Sequence, residues 1–454
     1  MTSGAAAAAS AGRFGRRRFV VGSGAVAAGV LGACSHSGSD EARDAGGAAG
    51  GSGSTTAPAE FDPSDWASVR DQFDLDPDLA HFAHFVFASH PRPVREAIER
   101  HRAGLDADAE GYLLAAEADA EAGVSQAAAA YLGGEPGQVA LTDSTTMGIG
   151  LVYGGLRLAD GDEVLTTEHD FYSTHEALRL RAERTGATVR RVALYDEPAD
   201  ADPGDMVERL TAAVTPATRV VAVTWVHSGT GVKLPVADIA AALGRRGDRR
   251  VLLCVDGVHG LGAEDTAVDD LGCDLFMAGT HKWLYGPRGT GVVWGTPEAW
   301  GEVEATIPPF EQSSFRAWLQ GGTPDGPPGL LASPGGYHSF EHRWALGEAF
   351  DFHQAIGRGA VTERIRSQAT QLKEGLAEVG GVNVVTPASP DASAGIVCVN
   401  VEGWDPADVL GRLRQAGFSA SVTPYSEGYV RFGPGIVTTP DQVDALVEAV
   451  ADLR

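Results

Sequence analysis

Two apolar runs near the middle of the chain each end in a residue able to do chemistry. Val251 to Val255 runs into Asp256, and the run after Asp274 leads to Thr280-His281-Lys282. Short continuous apolar runs bounded by turn signals read as buried strands. In open α/β sheets, ligands sit beyond the carboxyl ends of the strands. An Asp at one strand end and a Lys past the next therefore face one crevice. A lysine amine forms a Schiff base with an aldehyde, and a buried carboxylate holds a pyridine nitrogen protonated so that the ring draws electrons. Taken alone, the pair is more simply a surface lysine in a Gly-rich turn and a strand-capping aspartate. The flanking residues reverse that reading.

Those residues are Asp256-Gly257-Val258-His259, Thr280-His281-Lys282 and Gly286-Pro287. The stretch resembles the class V aminotransferase family, within fold type I of the pyridoxal-phosphate enzymes. The resemblance runs from roughly Asp76 to the C-terminus and leans towards the isopenicillin N epimerase-like branch. It implies that Lys282 is the catalytic Schiff-base lysine and that Asp256 partners the pyridine nitrogen. It implies further that His259 lies near the ring's phenolic oxygen, and that Thr280 and His281 reach the phosphate of a bound pyridoxal 5'-phosphate.

Other positions join this set. In TDSTTMGIG, a strand gives way to a helix at Ser144, Thr145 and Thr146. Hydroxyls and free amides at a helix start form an anion site, or simply a cap; with a lysine of this kind downstream, phosphate is the better reading. Glu168-His169 resembles the family's ring-stacking position, which makes His169 the expected aromatic cover and Phe171 or Tyr172 the alternatives. Strand 219–225 leads into His227-Ser228-Gly229-Thr230-Gly231, and one of His227 or Ser228 would lie over the cofactor's hydroxyl side. Arg431 ends a late strand, where the resemblance places a guanidinium for the substrate's carboxylate; its planar fork suits that task. One departure stands out. Relatives carry Glu-x-Gly-Thr, whose Thr reaches the partner subunit's phosphate, whereas this chain has Glu341-His342-Arg343-Trp344. Gly322-Thr323 is a weak substitute. Arg343 is expected to bind an anion or to pair with Glu341.

These residues need an α/β frame. Strands and helices alternate through 138–295, predicting a large domain (61–298, with an N-terminal arm) built on a mostly parallel seven-stranded sheet. His81, His84 and His90 lie in that arm and read as packing rather than substrate contacts. A Gly/Pro-rich active-site loop region (299–339) and a smaller α+β domain (340–454) follow, with one helix predicted over 340–355. No CxxC motif or Cys/His cluster points to a metal; Cys254 and Cys398 read as small buried hydrophobes.

Residues 1–60 read as something other than fold. Arg16-Arg17-Arg18-Phe19 before a short apolar run resembles a twin-arginine export signal (1–33). Leu31-Gly32-Ala33-Cys34 resembles a lipobox, which would make Cys34 a lipidated tether, and 34–60 is a flexible linker. A periplasmic or cell-surface location follows from that reading. The net charge of −26 argues against nucleic acid and anionic membrane as partners. The expectation is thus an enzyme acting on an amino acid or amine, epimerase-like or an aminotransferase, and a homodimer by resemblance. C–S lysis stays open, but not through a cysteine persulfide, because residues 299–397 contain no Cys. The rival is a tethered, non-catalytic binding protein on the same fold.

Overall fold

The central strands owe their place to period-two patterning that is apolar on both faces. In the computed structural model, which describes residues 61–244 and 250–453, the strand Leu252–Asp256 turns Leu253 and Val255 to one core layer and Leu252 and Cys254 to the other. The strand Leu275–Gly279 does the same with Phe276 and Ala278 against Leu275 and Met277. Burying one such side chain contributes about 1.5–3 kcal/mol, so these two strands fix their register firmly and with it whatever follows them.

The seven strands of the sheet are β1 (Val139–Thr142), β2 (Glu163–Thr167), β3 (Thr188–Val192), β4 (Thr218–Thr224), β5 (Leu252–Asp256), β6 (Leu275–Gly279) and β7 (Gly291–Gly295). Their spatial order is β1-β7-β6-β5-β4-β2-β3. Pairing is parallel from β6 through β3, and β7 runs antiparallel to both β6 and β1. The mostly parallel seven-stranded sheet expected of fold type I is present. Parallel strands need crossover connections, and helices such as Tyr172–Thr185, between β2 and β3, and Val236–Leu243, between β4 and β5, supply them.

A second sheet lies towards the C-terminus. It contains β8 (Val382–Val384), β9 (Val397–Val401), β10 (Ser421–Val422) and β11 (Val430–Phe432), in the antiparallel order β10-β11-β9-β8. Helices Arg358–Ala377 and Pro440–Ala451 pack on it. The arm before the first long helix is tied to both halves. Ala80–His81 pairs in parallel with Phe418–Ser419, the Gly433 amide donates to the Phe82 carbonyl, and the Ala88 amide donates to the His281 carbonyl.

Three expectations change. The stretch 299–339 is not patternless: it holds helices Gln312–Leu319 and Pro328–Ala332, and the latter packs on β1 with the Ser333 hydroxyl accepting from the Leu141 amide. The single helix over 340–355 is two, Phe340–Trp344 and Leu346–Ile356, because the chain turns at Ala345 to bury Trp344 and Leu346 together. The first long helix, expected over 94–102 from the sequence, begins directly after Pro91 and spans Arg92–Ala107. The expected export signal, the linker and Cys34 lie outside the described residues.

Candidate active site

The carboxyl ends of β5 and β6, the start of the helix Thr145–Gly155 and the loop before β11 open onto one cleft of about 250 Å³. Ser144, Thr145, Thr146, Ser228, Asp256, His259, His281, Lys282 and Arg431 all line it. Residues drawn from positions 144 to 431 thus meet in one place.

Lys282 stands on a tightly held turn. Thr280 donates its amide to the Thr290 carbonyl at 3.1 Å, the Gly286 amide returns to the Thr280 carbonyl at 2.8 Å, and the Tyr285 amide donates to the Lys282 carbonyl at 3.0 Å. Tyr285 has a φ of 59°, a left-handed conformation that costs a side-chain-bearing residue about 1–2 kcal/mol. Full burial of Trp283 and Tyr285 holds it there. The amine lies 3.1 Å from His259 Nε2. Burial brings the Lys282 ammonium down to about 8; Asp256 opposes that fall and Arg431 adds to it.

Asp256 is the last residue of β5. One carboxylate oxygen accepts from the Val258 amide at 3.1 Å. Burial pushes its carboxyl up to about 6 against that hydrogen bond. Burial also drives His259 well below the usual histidine range, so the ring is neutral. Its Nδ1 is buried without a hydrogen-bond partner.

Arg431 is buried at 6 % exposure. It donates to Ser421 Oγ at 3.1 Å, to the Ser228 carbonyl at 2.9 Å and to the Val422 carbonyl at 3.1 Å. The guanidinium lies 5.1 Å over the Phe85 ring. Neither Arg431 nor Lys282 enters an ion pair among the described residues. A buried cation without a counter-ion is costly, so the cleft is set up for anions. The Tyr425 hydroxyl sits 2.8 Å from Ser228 Oγ, and its ring occupies the space that a Cβ on Gly229 would crowd at 3.1 Å.

At the helix start, Ser144 is the N-cap and takes the Met147 amide on its hydroxyl at 3.1 Å. Capping is therefore its visible role. The first amides of a helix lack intrahelical acceptors, and here Thr145 and Thr146 carry them into the cleft. Thr145 Oγ1 accepts the Gly279 amide at 2.7 Å, which joins the helix start to the end of β6. Gly279 matters sterically: a Cβ there would lie 2.9 Å from Thr145 Oγ1 and 3.0 Å from His281 Cε1. The cradle between those residues stays open only without a side chain.

Two expected positions fall elsewhere. His169 does not line the cleft. Its ring stacks on Tyr195 at 3.8 Å and 9°, and its Nε2 accepts the Leu194 amide at 3.1 Å. Of the two alternatives, Phe171 lines the cleft, while Tyr172 is 70 % exposed. Thr280 is fully buried, with its hydroxyl 2.5 Å from Thr290 Oγ1, and it holds the lysine turn rather than facing the cleft. Of the pair His227 and Ser228, Ser228 lines the cleft; His227 turns inward to the Tyr195 hydroxyl at 2.9 Å. Arg343 pairs with Asp143 at 3.2 Å, not with Glu341. Gly322 and Thr323 are exposed and outside this cleft.

The sequence reading missed Phe85, Val86, Ser173, Thr224, Val258 and Pro424 in the lining, and Tyr425 behind Ser228. The aromatic density of HFAHFVF marked an arm but not which residue faces inward. Pro424-Tyr425-Ser426-Glu427-Gly428 reads as an ordinary turn.

A lysine whose ammonium burial has weakened, a carboxylate in the same cleft, an open helix start and an arginine outside any ion pair among the described residues fit the aldehyde, ring nitrogen and phosphate of pyridoxal phosphate and the carboxylate of an amino acid. The sheet and cleft are those of a fold type I pyridoxal-phosphate enzyme. A family model described as aminotransferase class-V matches residues 91–446, and the chain belongs to that family. It is 28% identical over 398 residues to isopenicillin N epimerase of Streptomyces clavuligerus, covering 85% of this chain and 98% of that protein. It is 28% identical over 342 residues to a cysteine desulfurase of Enterobacter sp. (strain 638), covering 71% of this chain and 78% of that protein. Among solved structures, the cystine C-S lyase C-DES, in complex with its reaction product cysteine persulfide, superposes with a TM-score of 0.74 at 23% identity, over 83% of this chain and 98% of that one.

Proposed function

We propose that this enzyme transfers the α-proton of an amino acid, in epimerisation or transamination. The observation that carries this is the placing of Lys282, Asp256 and Arg431 in one cleft, with no anion of the chain paired to either cation among the described residues. When bound, pyridoxal phosphate supplies an aldehyde for the lysine and a ring that takes up the electrons of the bond broken at the substrate's α-carbon.

The chain's residues divide the remaining work. Arg431 has three of its five donors fixed on Ser421, Ser228 and Val422, so its orientation is set before a carboxylate arrives. Phe85 lies against the guanidinium and keeps water from it. Lys282, ionising near 8, is neutral often enough at neutral pH to accept a proton from carbon and still return it. Asp256 would hold a proton at the ring nitrogen, and His259, neutral and within 3.1 Å of the amine, keeps the lysine facing the cleft. Thr145, Thr146 and His281 would seat the phosphate, and Phe171 would be the aromatic wall.

A second reading, C–S lysis, is supported by the likeness of fold to a cystine lyase. A persulfide relay is not supported: Cys254, Cys273 and Cys398 are all buried, and none lines the cleft. We extend the proposal to a homodimer and to export with lipidation at Cys34, on sequence resemblance alone. Cys34→Ala is then expected to release the protein from the membrane fraction; unchanged fractionation removes the tether.

The test of function is an absorbance scan of the purified protein with a panel of L- and D-amino acids, in deuterated water. A cofactor band that shifts with one amino acid, with deuterium entering its α-position, meets the proposal. Inversion of that amino acid then marks an epimerase, and a keto acid that keeps the whole side chain marks a transaminase. Release of the sulfur fragment together with pyruvate and ammonia marks lysis, which also removes the α-proton. No band, even with added pyridoxal phosphate, leaves a binding protein on this fold.

A further inference from the structure

The residue in front of the phosphate seat is an acid. Asp143 lies between Thr142, the end of β1, and Ser144, the cap of the helix Thr145–Gly155. A carboxylate at a helix start is attracted to the same unsatisfied amides that would hold a phosphate, and its charge repels a phosphate beside it. The structure shows what answers that charge. Arg343, from a segment 200 residues further on, reaches Asp143 Oδ1 at 3.2 Å. The arginine side chain is only 8% exposed and the aspartate side chain 44%. The helix that carries Arg343 is anchored independently: the Trp344 indole donates to Glu121 at 3.3 Å and packs edge-on against His101 at 5.3 Å. The cation is therefore held in place, and the acid is drawn to it.

We infer that Arg343 is a positioning residue of the phosphate seat: it neutralises Asp143 and holds it off the helix start, so that the start stays free for the cofactor's phosphate. This rests on the reading that the phosphate sits at Thr145 and Thr146. It also gives a role to the stretch where the chain departs from the Glu-x-Gly-Thr pattern. In place of a hydroxyl aimed at a phosphate, the segment supplies a charge that acts through Asp143.

The test uses the apoprotein and two ligands, pyridoxal phosphate and unphosphorylated pyridoxal, titrated by quenching of tryptophan fluorescence. Arg343→Gln leaves Asp143 unbalanced beside the seat. It is expected to weaken pyridoxal phosphate about tenfold, as for a charge partner lost from a partly buried site, and to leave pyridoxal unchanged. Asp143→Asn added to Arg343→Gln removes the competing charge and is expected to restore most of the affinity, which a merely structural contact would not do. The inference is overturned if Arg343→Gln binds pyridoxal phosphate like the parent, if both ligands weaken alike, or if the double variant is as weak as the single. Should Arg343→Gln fail to fold, the double variant and Arg343→Lys decide: both must bind pyridoxal phosphate within a few-fold of the parent, and a tenfold loss in either overturns the inference. Thr146→Val separates the two layers. If it too spares the phosphorylated ligand, the seat itself is misplaced; if it discriminates and Arg343→Gln does not, only the role of Arg343 falls.

Discussion

In the apoprotein, the reaction of Lys282 with an aldehyde is expected to quicken with pH, pass its midpoint near pH 8 and level off above it. The magnitude follows from the ionisation of the amine. An ordinary lysine, near 10.5, has about one neutral amine in three thousand at pH 7. Lys282, brought down to about 8 by burial, has about one in ten, roughly three-hundred-fold more nucleophile. The assay is reductive methylation with formaldehyde and borohydride at stepped pH, read by mass spectrometry on the Lys282 peptide, so that no cofactor is needed. The chain has two other lysines, Lys233 and Lys373. Lys373 is also brought down to about 8 by burial, but its amine donates to the Pro387 and Ala388 carbonyls at 2.9 Å and to Ser393 Oγ at 2.8 Å. With all three donors engaged it is expected to react slowly, which separates access from ionisation. The causes can be tested with opposite signs. Arg431→Met removes a repelling cation and raises the midpoint; Asp256→Asn removes an attracting anion and lowers it. A midpoint at or above that of an ordinary lysine, or movement of both variants in one direction, refutes the account.

Three further outcomes follow from the geometry. Phe171→Ala should weaken cofactor binding by about 1 kcal/mol, the worth of one aromatic stacking partner, while His169→Ala should lower the melting temperature through loss of the Tyr195 stack and leave cofactor affinity near the parent's; fluorescence titration and thermal melts on both variants check this. Thr280→Val breaks the hydroxyl contact with Thr290 under the lysine turn and should cost about 1–2 kcal/mol in a urea melt, with the phosphate-dependent part of cofactor affinity unchanged; a selective loss for the phosphorylated cofactor would return Thr280 to the phosphate seat. Arg431→Lys keeps the charge but loses the fork, so KM for the amino acid should rise at least tenfold with a smaller change in kcat, and an unchanged KM in steady-state kinetics places the carboxylate elsewhere.

What was legible in the sequence, and what was not, divides along a physical line. β5 and β6 could be read because every residue in them answers to one local rule, alternation between two buried faces, and a strand that obeys it can end in only one place. Asp256 and Lys282 inherit their positions from that rule, so their meeting in one cleft follows from the chain alone. The ring-stacking position obeys no such rule. His169 and Phe171 are two residues apart after the end of β2, and which of them turns inward depends on Tyr195, which lies beyond the neighbouring strand and captures the imidazole by stacking. Thr280 is a similar case: its neighbour His281 faces the cleft, and its own hydroxyl is claimed by Thr290 from the far side of the turn. Arg343 sits close to Glu341 and His342 in sequence, yet its partner is Asp143, because the short helix Phe340–Trp344 carries the guanidinium away from its neighbours and to the residue before the cap of the helix Thr145–Gly155. In each case a side chain already placed close by was free to be claimed by a group distant in sequence. Residue type and spacing therefore name the set of groups around a site of this kind, and the packing of neighbouring loops decides which member of each set faces the chemistry.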